Sequence, residues 1–120
     1  ELLIYNCIFS RSCDGFVRQK HIRQILNCEF PEWCMPYILK ASSEYVEEIV
    51  SEIYFSLDSK DNALFQAFCA NNPYMFRYAY SRMTSYWNEF YRNNCLDFHN
   101  YNGYKLYKKC FGYSRRYDKI

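Results

Sequence analysis

The sequence predicts an all-α fold, and three observations carry that prediction. Half of the 120 residues are hydrophobic and 22% are aromatic, which supplies enough apolar surface for one packed core and excludes intrinsic disorder. Only three Gly and three Pro are present, too little punctuation for a sandwich or barrel of many short strands. Apolar residues then recur as Val46, Ile49, Val50, Ile53, Tyr54 and Leu57, the spacing of one helix face.

The elements follow in chain order. Leu2 to Phe9 is a brief apolar stretch stopped by Ser10, Arg11 and Ser12. Asp14 is a good N-cap for a helix over Gly15 to Cys28, because its carboxylate can accept from the exposed amides of the first turn. Pro31 suits a first helical position and opens Pro31 to Ala41. Ser42 and Ser43 are expected to cap the next helix, with Glu44, Glu47 and Glu48 near the positive end of its dipole. Asp58 to Asp61 reads as a turn before a helix of about Asn62 to Ala70. Pro73 starts the longest candidate, reaching about Arg92, with Phe76, Ala79, Tyr80, Met83, Trp87 and Phe90 along one side. Asn102 is expected to cap Gly103 to Phe111, with Gly112 in the left-handed position after it. Together these give one helical domain over 1–112, with helix pairs of about 2–28, 31–57 and 62–92 and a final helix of about 103–111. Residues 113–120 read as a frayed basic tail.

A period of about thirty residues runs through the chain. Asp14-Gly15-Phe16-Val17-Arg18 opens one helix, Ser43-Glu44-Tyr45-Val46-Glu47 another, and Pro73-Tyr74-Met75-Phe76-Arg77 a third. A shorter apolar helix precedes each. Such pairs bury their apolar faces by stacking, so the expected architecture is antiparallel helix pairs in a short, irregular α-solenoid. An irregular helical bundle is the alternative.

Here the sequence resembles the HEAT-repeat family. Pro36-Tyr37-Ile38-Leu39, Glu44 at the turn, and Val46, Ile49, Val50, Ile53 and Tyr54 are similar to its pattern of a proline in the first helix, an acidic turn residue and a valine-led second helix. Asp14 and Arg18 match the acidic and arginine positions of another repeat. Glu47 departs from the pattern, standing where the family prefers arginine, and His21, Val50 and Tyr80 fall where it prefers small residues. The resemblance implies a curved scaffold that binds proteins, peptides or sometimes nucleic acid through its inner helices, without catalysis.

Net charge is +2, but residues 1–60 hold six basic and nine acidic side chains while residues 61–120 hold nine and four. The halves therefore carry −3 and +5, a polarity that would let copies stack head to tail. The seven cysteines (Cys7, Cys13, Cys28, Cys34, Cys69, Cys95, Cys110) are odd in number and lie mostly among apolar residues, as reduced thiols of a cytoplasmic protein do. Nothing resembles a signal peptide or the roughly 20-residue apolar run of a membrane span. Beginning with Glu1 rather than Met, the chain reads as a piece of something longer.

Candidate chemistry is sparse. The cysteines form no Cys-x2-Cys pair, so no metal site is expected. His21 shares its helix face with Val17, Ile25 and Cys28, which points to a hydrogen-bonded core histidine. Two histidines without a nucleophile turn or a phosphate-cradling glycine loop leave no constellation for catalysis and imply no cofactor. The expected function is therefore a non-catalytic protein-interaction scaffold for a protein or peptide partner. Its surface candidates are Arg18, Glu47, Arg77, Arg82 and Trp87; among these types Arg and Trp are enriched in interface hot spots. The alternative is nucleic-acid binding through Lys105, Lys108, Lys109, Arg115 and Arg116, with Tyr101, Tyr104, Tyr107, Tyr113 and Tyr117 stacking on bases.

Overall fold

Local chemistry sets most helix boundaries in the computed structural model, which describes residues 2–119. The first helix, α1 (Leu2–Phe9), ends where the Ser10 hydroxyl turns back to donate to the Cys7 carbonyl at 2.6 Å. Asp14 then starts α2 (Gly15–Leu26) by accepting the Phe16 N–H at 2.9 Å, as its position predicts. Pro31 does not open the third helix directly. A tight 3-10 turn, Glu32–Cys34, precedes α3 (Met35–Ser42), and Pro36 occupies its first turn.

The expectation that Ser42 and Ser43 cap the following helix is corrected. Both lie at the end of α3, where carbonyls lack helical partners, and their hydroxyls donate to Leu39 at 2.6 Å and Lys40 at 2.8 Å. The next helix, α4 (Glu47–Leu57), begins without a side-chain cap from Val46. The Tyr91 hydroxyl serves instead, accepting the Glu47 N–H at 3.2 Å and donating to the Tyr45 carbonyl. Beyond it come α5 (Ala63–Asn71) and α6 (Pro73–Tyr86), which widens into a π-turn over Trp87–Tyr91. The last helix, α7 (Asn102–Lys105), widens likewise over Leu106–Cys110. Asn102 does not cap it; its amide reaches across to donate to the Ser51 hydroxyl at 2.9 Å. Gly112 adopts φ 76°, the left-handed position its sequence context predicts.

The described residues are all helical or loop. Helices α1 and α2 pack as a pair, α3 and α4 as another, and α2 lies along α4. The far side of α4 is covered by α7 and its π-turn, while α6 packs against α3 and α5. The radius of gyration is 13.5 Å, matching the ~13.6 Å of a compact chain of this length.

The core has two characters. Around α2, α3 and α4 it is aliphatic, with Ile22, Ile25, Ile38, Leu39, Ile49, Val50, Ile53 and Leu57 buried; around α5, α6 and the C-terminal segment it is aromatic. There Phe65 stacks on Phe111 with centroids 4.5 Å apart, and Phe76 meets Tyr107, Tyr113 and Tyr117. The frayed tail is therefore corrected as well. Tyr113 and Tyr117 are buried, a 3-10 turn over Arg115–Lys119 packs on α6, and the Tyr113 hydroxyl donates to Asp118 at 2.8 Å. Ile120 lies outside the described residues.

Candidate partner-binding site

Residues four apart share a helix face, so Tyr74, Tyr78, Arg82 and Tyr86 form one row along α6. The opposite side of this helix is spent on the core, through Phe76, Ala79 and Met83. The first half of the row looks outward, while Arg82 and Tyr86 are half-buried. Tyr74 is 77% exposed and Tyr78 62%, with Met75 beside them at 45%. The Arg82 guanidinium sits over the rings of Tyr78 and Tyr86, at 5.7 and 5.6 Å, cation–π contacts that hold the charge in place. The Tyr78 hydroxyl beside it raises the Arg82 pKa further, so the group stays cationic.

Because α6 packs on α3, a groove of about 220 Å³ opens between them, with Leu39 and Ala79 in its floor and Arg11, Lys40 and Arg82 around it. A larger cleft of about 450 Å³ lies between the end of α2 and the α4–α5 turn. Two of its polar side chains, Lys60 and Asn62, are already used within the fold. The Lys60 ammonium donates to the Leu26 carbonyl at 2.9 Å and the Asn62 amide to Leu57 at 2.8 Å, closing two helix ends.

The five expected partner-binding residues are not brought together. Arg18 is corrected from the surface to the interior: it is 7% exposed, pairs with Glu44 at 3.4 Å and lies 5.6 Å over the Tyr45 ring. Glu47 is half-buried at the start of α4, where its carboxylate accepts the Ser51 hydroxyl at 2.7 Å. Arg77 donates to the neighbouring Ser81 hydroxyl. Trp87 is fixed in place, its indole N–H donating to the Cys95 carbonyl at 2.9 Å and its ring resting on Phe98. Arg82 alone lines the groove.

The lysines and tyrosines of the C-terminal third are also separated. Tyr101, Tyr107, Tyr113 and Tyr117 are core residues, and desolvation pushes the phenols of the first three well above their ordinary value. Lys108 faces the rings of Tyr80, Tyr104 and Tyr113 at 5.3 to 6.0 Å. Lys109, Arg115 and Arg116 are exposed, whereas Lys105 is half-buried. The acidic face of α4 is partly neutralised within the chain, since Arg23 grips Glu52 through two hydrogen bonds of 3.0 and 2.8 Å.

Arg11, Lys40, Tyr74 and Met75 were not among the expected partner-binding residues. The four-residue spacing of Tyr74, Tyr78, Arg82 and Tyr86 is legible in sequence, but Arg11 and Lys40 join them only through the packing of α3 on α6. Among the described residues, no three His, Cys, Asp or Glu side chains converge as a metal site requires. No helix there is long and apolar enough to cross a membrane. No family model, curated protein or solved structure matches the chain.

Proposed function

We propose that this chain is a non-catalytic protein-interaction module whose partner docks on the α3–α6 face. The observation that carries this reading is the outward row of Tyr74, Met75 and Tyr78 leading to Arg82 at the rim of a groove. Tyr and Arg are the residue types that dominate interface hot spots, and solvent-facing aromatics gain most from being covered. The finer architecture in this proposal is HEAT-like, supported by the stacking of α1/α2 on α3/α4 through α2 and α4. A reducing, cytoplasmic setting goes with it, supported by the burial of Cys7, Cys34, Cys69 and Cys110 as small hydrophobes.

The test is affinity capture from cell lysate with the wild-type chain and with a Tyr74→Ser/Tyr78→Ser variant, both checked by circular dichroism. Partners retained by the first and lost from the second are expected. The same partners on both would overturn the assignment of this face, and capture dominated by nucleic acid would move the function to the C-terminal cations.

A further inference from the structure

Resting on that reading, we infer that the partner is an acidic peptide segment, whose carboxylates meet Arg11, Lys40 and Arg82 while an adjacent apolar side chain enters the groove.

Three cations reach the groove from three separate places: Arg11 from the α1–α2 loop, Lys40 from the end of α3 and Arg82 from α6. Among the described residues, no Asp or Glu lines it. None of the ion pairs among the described residues uses these three groups. Glu44, the acid whose charge Arg82 senses, is already paired with Arg18. Among the described residues, the side-chain hydrogen bond that Arg82 donates to the Tyr86 hydroxyl is a long one, 3.4 Å, and its Nε is buried without an acceptor. The site therefore presents positive charge that the fold leaves uncompensated, and charge complementarity selects an anionic partner.

Size and lining decide what kind. A volume of about 220 Å³ is below the ~300–1,000 Å³ of small-molecule sites, and fits one large side chain. Leu39, Ala79, Met75 and Pro36 make the lining chiefly apolar, which favours Leu or Phe over a hydrated sugar-phosphate. Carboxylates flanking an apolar residue satisfy both the floor and the rim. Arg82, steadied between two tyrosine rings, is the natural bidentate partner of one of them.

The test uses the full chain and a short fluorescein-labelled peptide of Glu, Leu and Phe, with a counterpart carrying Gln for each Glu. Anisotropy should show the acidic peptide binding at least about tenfold tighter than the Gln form, a difference of ~1.4 kcal/mol. Binding should weaken as salt rises, and by a similar factor in an Arg11→Glu/Lys40→Glu variant, whose two positions lie at the rim and not in the core. Equal affinity for both peptides would overturn the acidic preference while leaving the docking face intact. So would absence of binding by either peptide when the Tyr74→Ser/Tyr78→Ser variant still loses captured partners. Displacement of the acidic peptide by a DNA oligonucleotide at lower concentration than by unlabelled peptide would overturn it in favour of phosphate.

Discussion

The hydroxyl of Tyr107 lies 2.8 Å from the hydroxyl of Ser42, across sixty-five residues of sequence and with both side chains fully buried. Ser42 has a single proton, and it points at the Leu39 carbonyl at 2.6 Å. Tyr107 is therefore the donor, and the end of α3 is locked to the last helix through one oxygen. Tyr107→Phe should cost about 1 kcal/mol, because Ser42 keeps its own bond. Ser42→Ala should cost about 2–3 kcal/mol, since it strands a buried phenol donor. Denaturant unfolding of the double variant checks the pairing. Its loss should be smaller than the two single losses combined.

His21 gives the protein a pH response. Its Nδ1–H donates to the Asn6 side-chain Oδ1 at 2.7 Å in a buried setting, and desolvation, with Lys20 nearby, holds its pKa below the ordinary value. The folded state thus prefers neutral imidazole, and unfolded chains take up the proton first. Stability should be complete above the unfolded value of about 6.5 and fall as pH drops through it, by no more than ~1.4 kcal/mol per pH unit. Urea midpoints from pH 7.5 to 5 should show this slope in wild type, and His21→Gln should lack it.

Gly103 is required where α7 crosses α6. A Cβ there would lie 2.6 Å from the Tyr101 ring and 3.0 Å from Met83, both buried. Overpacking costs about 1–3 kcal/mol, against a helix-propensity gain of up to ~1 kcal/mol for Gly→Ala. Overpacking wins. Gly103→Ala should lower the thermal midpoint, whereas Gly15→Ala, with nothing nearer than 3.7 Å, should not.

Thiol labelling should divide the cysteines by depth. Cys13 and Cys28 are exposed. Burial pushes Cys34 and Cys69 up to about 12 and Cys110 to about 11, so little thiolate forms at neutral pH. Cys7 and Cys34 face each other with sulfurs 3.6 Å apart, and Cys7 is raised too. Mass spectrometry after brief alkylation of native protein should find Cys13 and Cys28 modified first. The four buried thiols should react only in denaturant.

What the sequence makes legible is local. The apolar face of α4, the Asp14 cap and the left-handed Gly112 are each decided within their own element, and the face that His21 shares with Ile25 marks it as a core residue although its partner Asn6 lies on α1. Contacts between distant segments are not. Ser42 and Ser43 are good N-cap residues, yet they bond backward because α3 runs on through Ser42 and α4 starts only at Glu47, where Tyr91, over forty residues away, supplies the cap. Arg18 looks like a surface cation until Glu44 and Tyr45 close over it. Tyrosines in a basic stretch are hidden because the aromatic half of the core is completed from the C-terminal end. The groove is harder still to foresee, since its three cations come from α6, the end of α3 and a loop that share no periodicity.

The placement of α7 against α4 bears on how the chain matures during synthesis. With α2 and α3 already made, α4 leaves the ribosome with one flank sheltered and the other open. That flank waits for Leu106, Tyr107 and Cys110, which emerge about fifty residues after α4 ends. Any nascent chain stalled before Asn102 therefore displays a greasy strip that the finished protein never shows. Such a truncated chain should bind a hydrophobic dye more strongly than the complete one, and holding that strip apart from its neighbours is work for a chaperone.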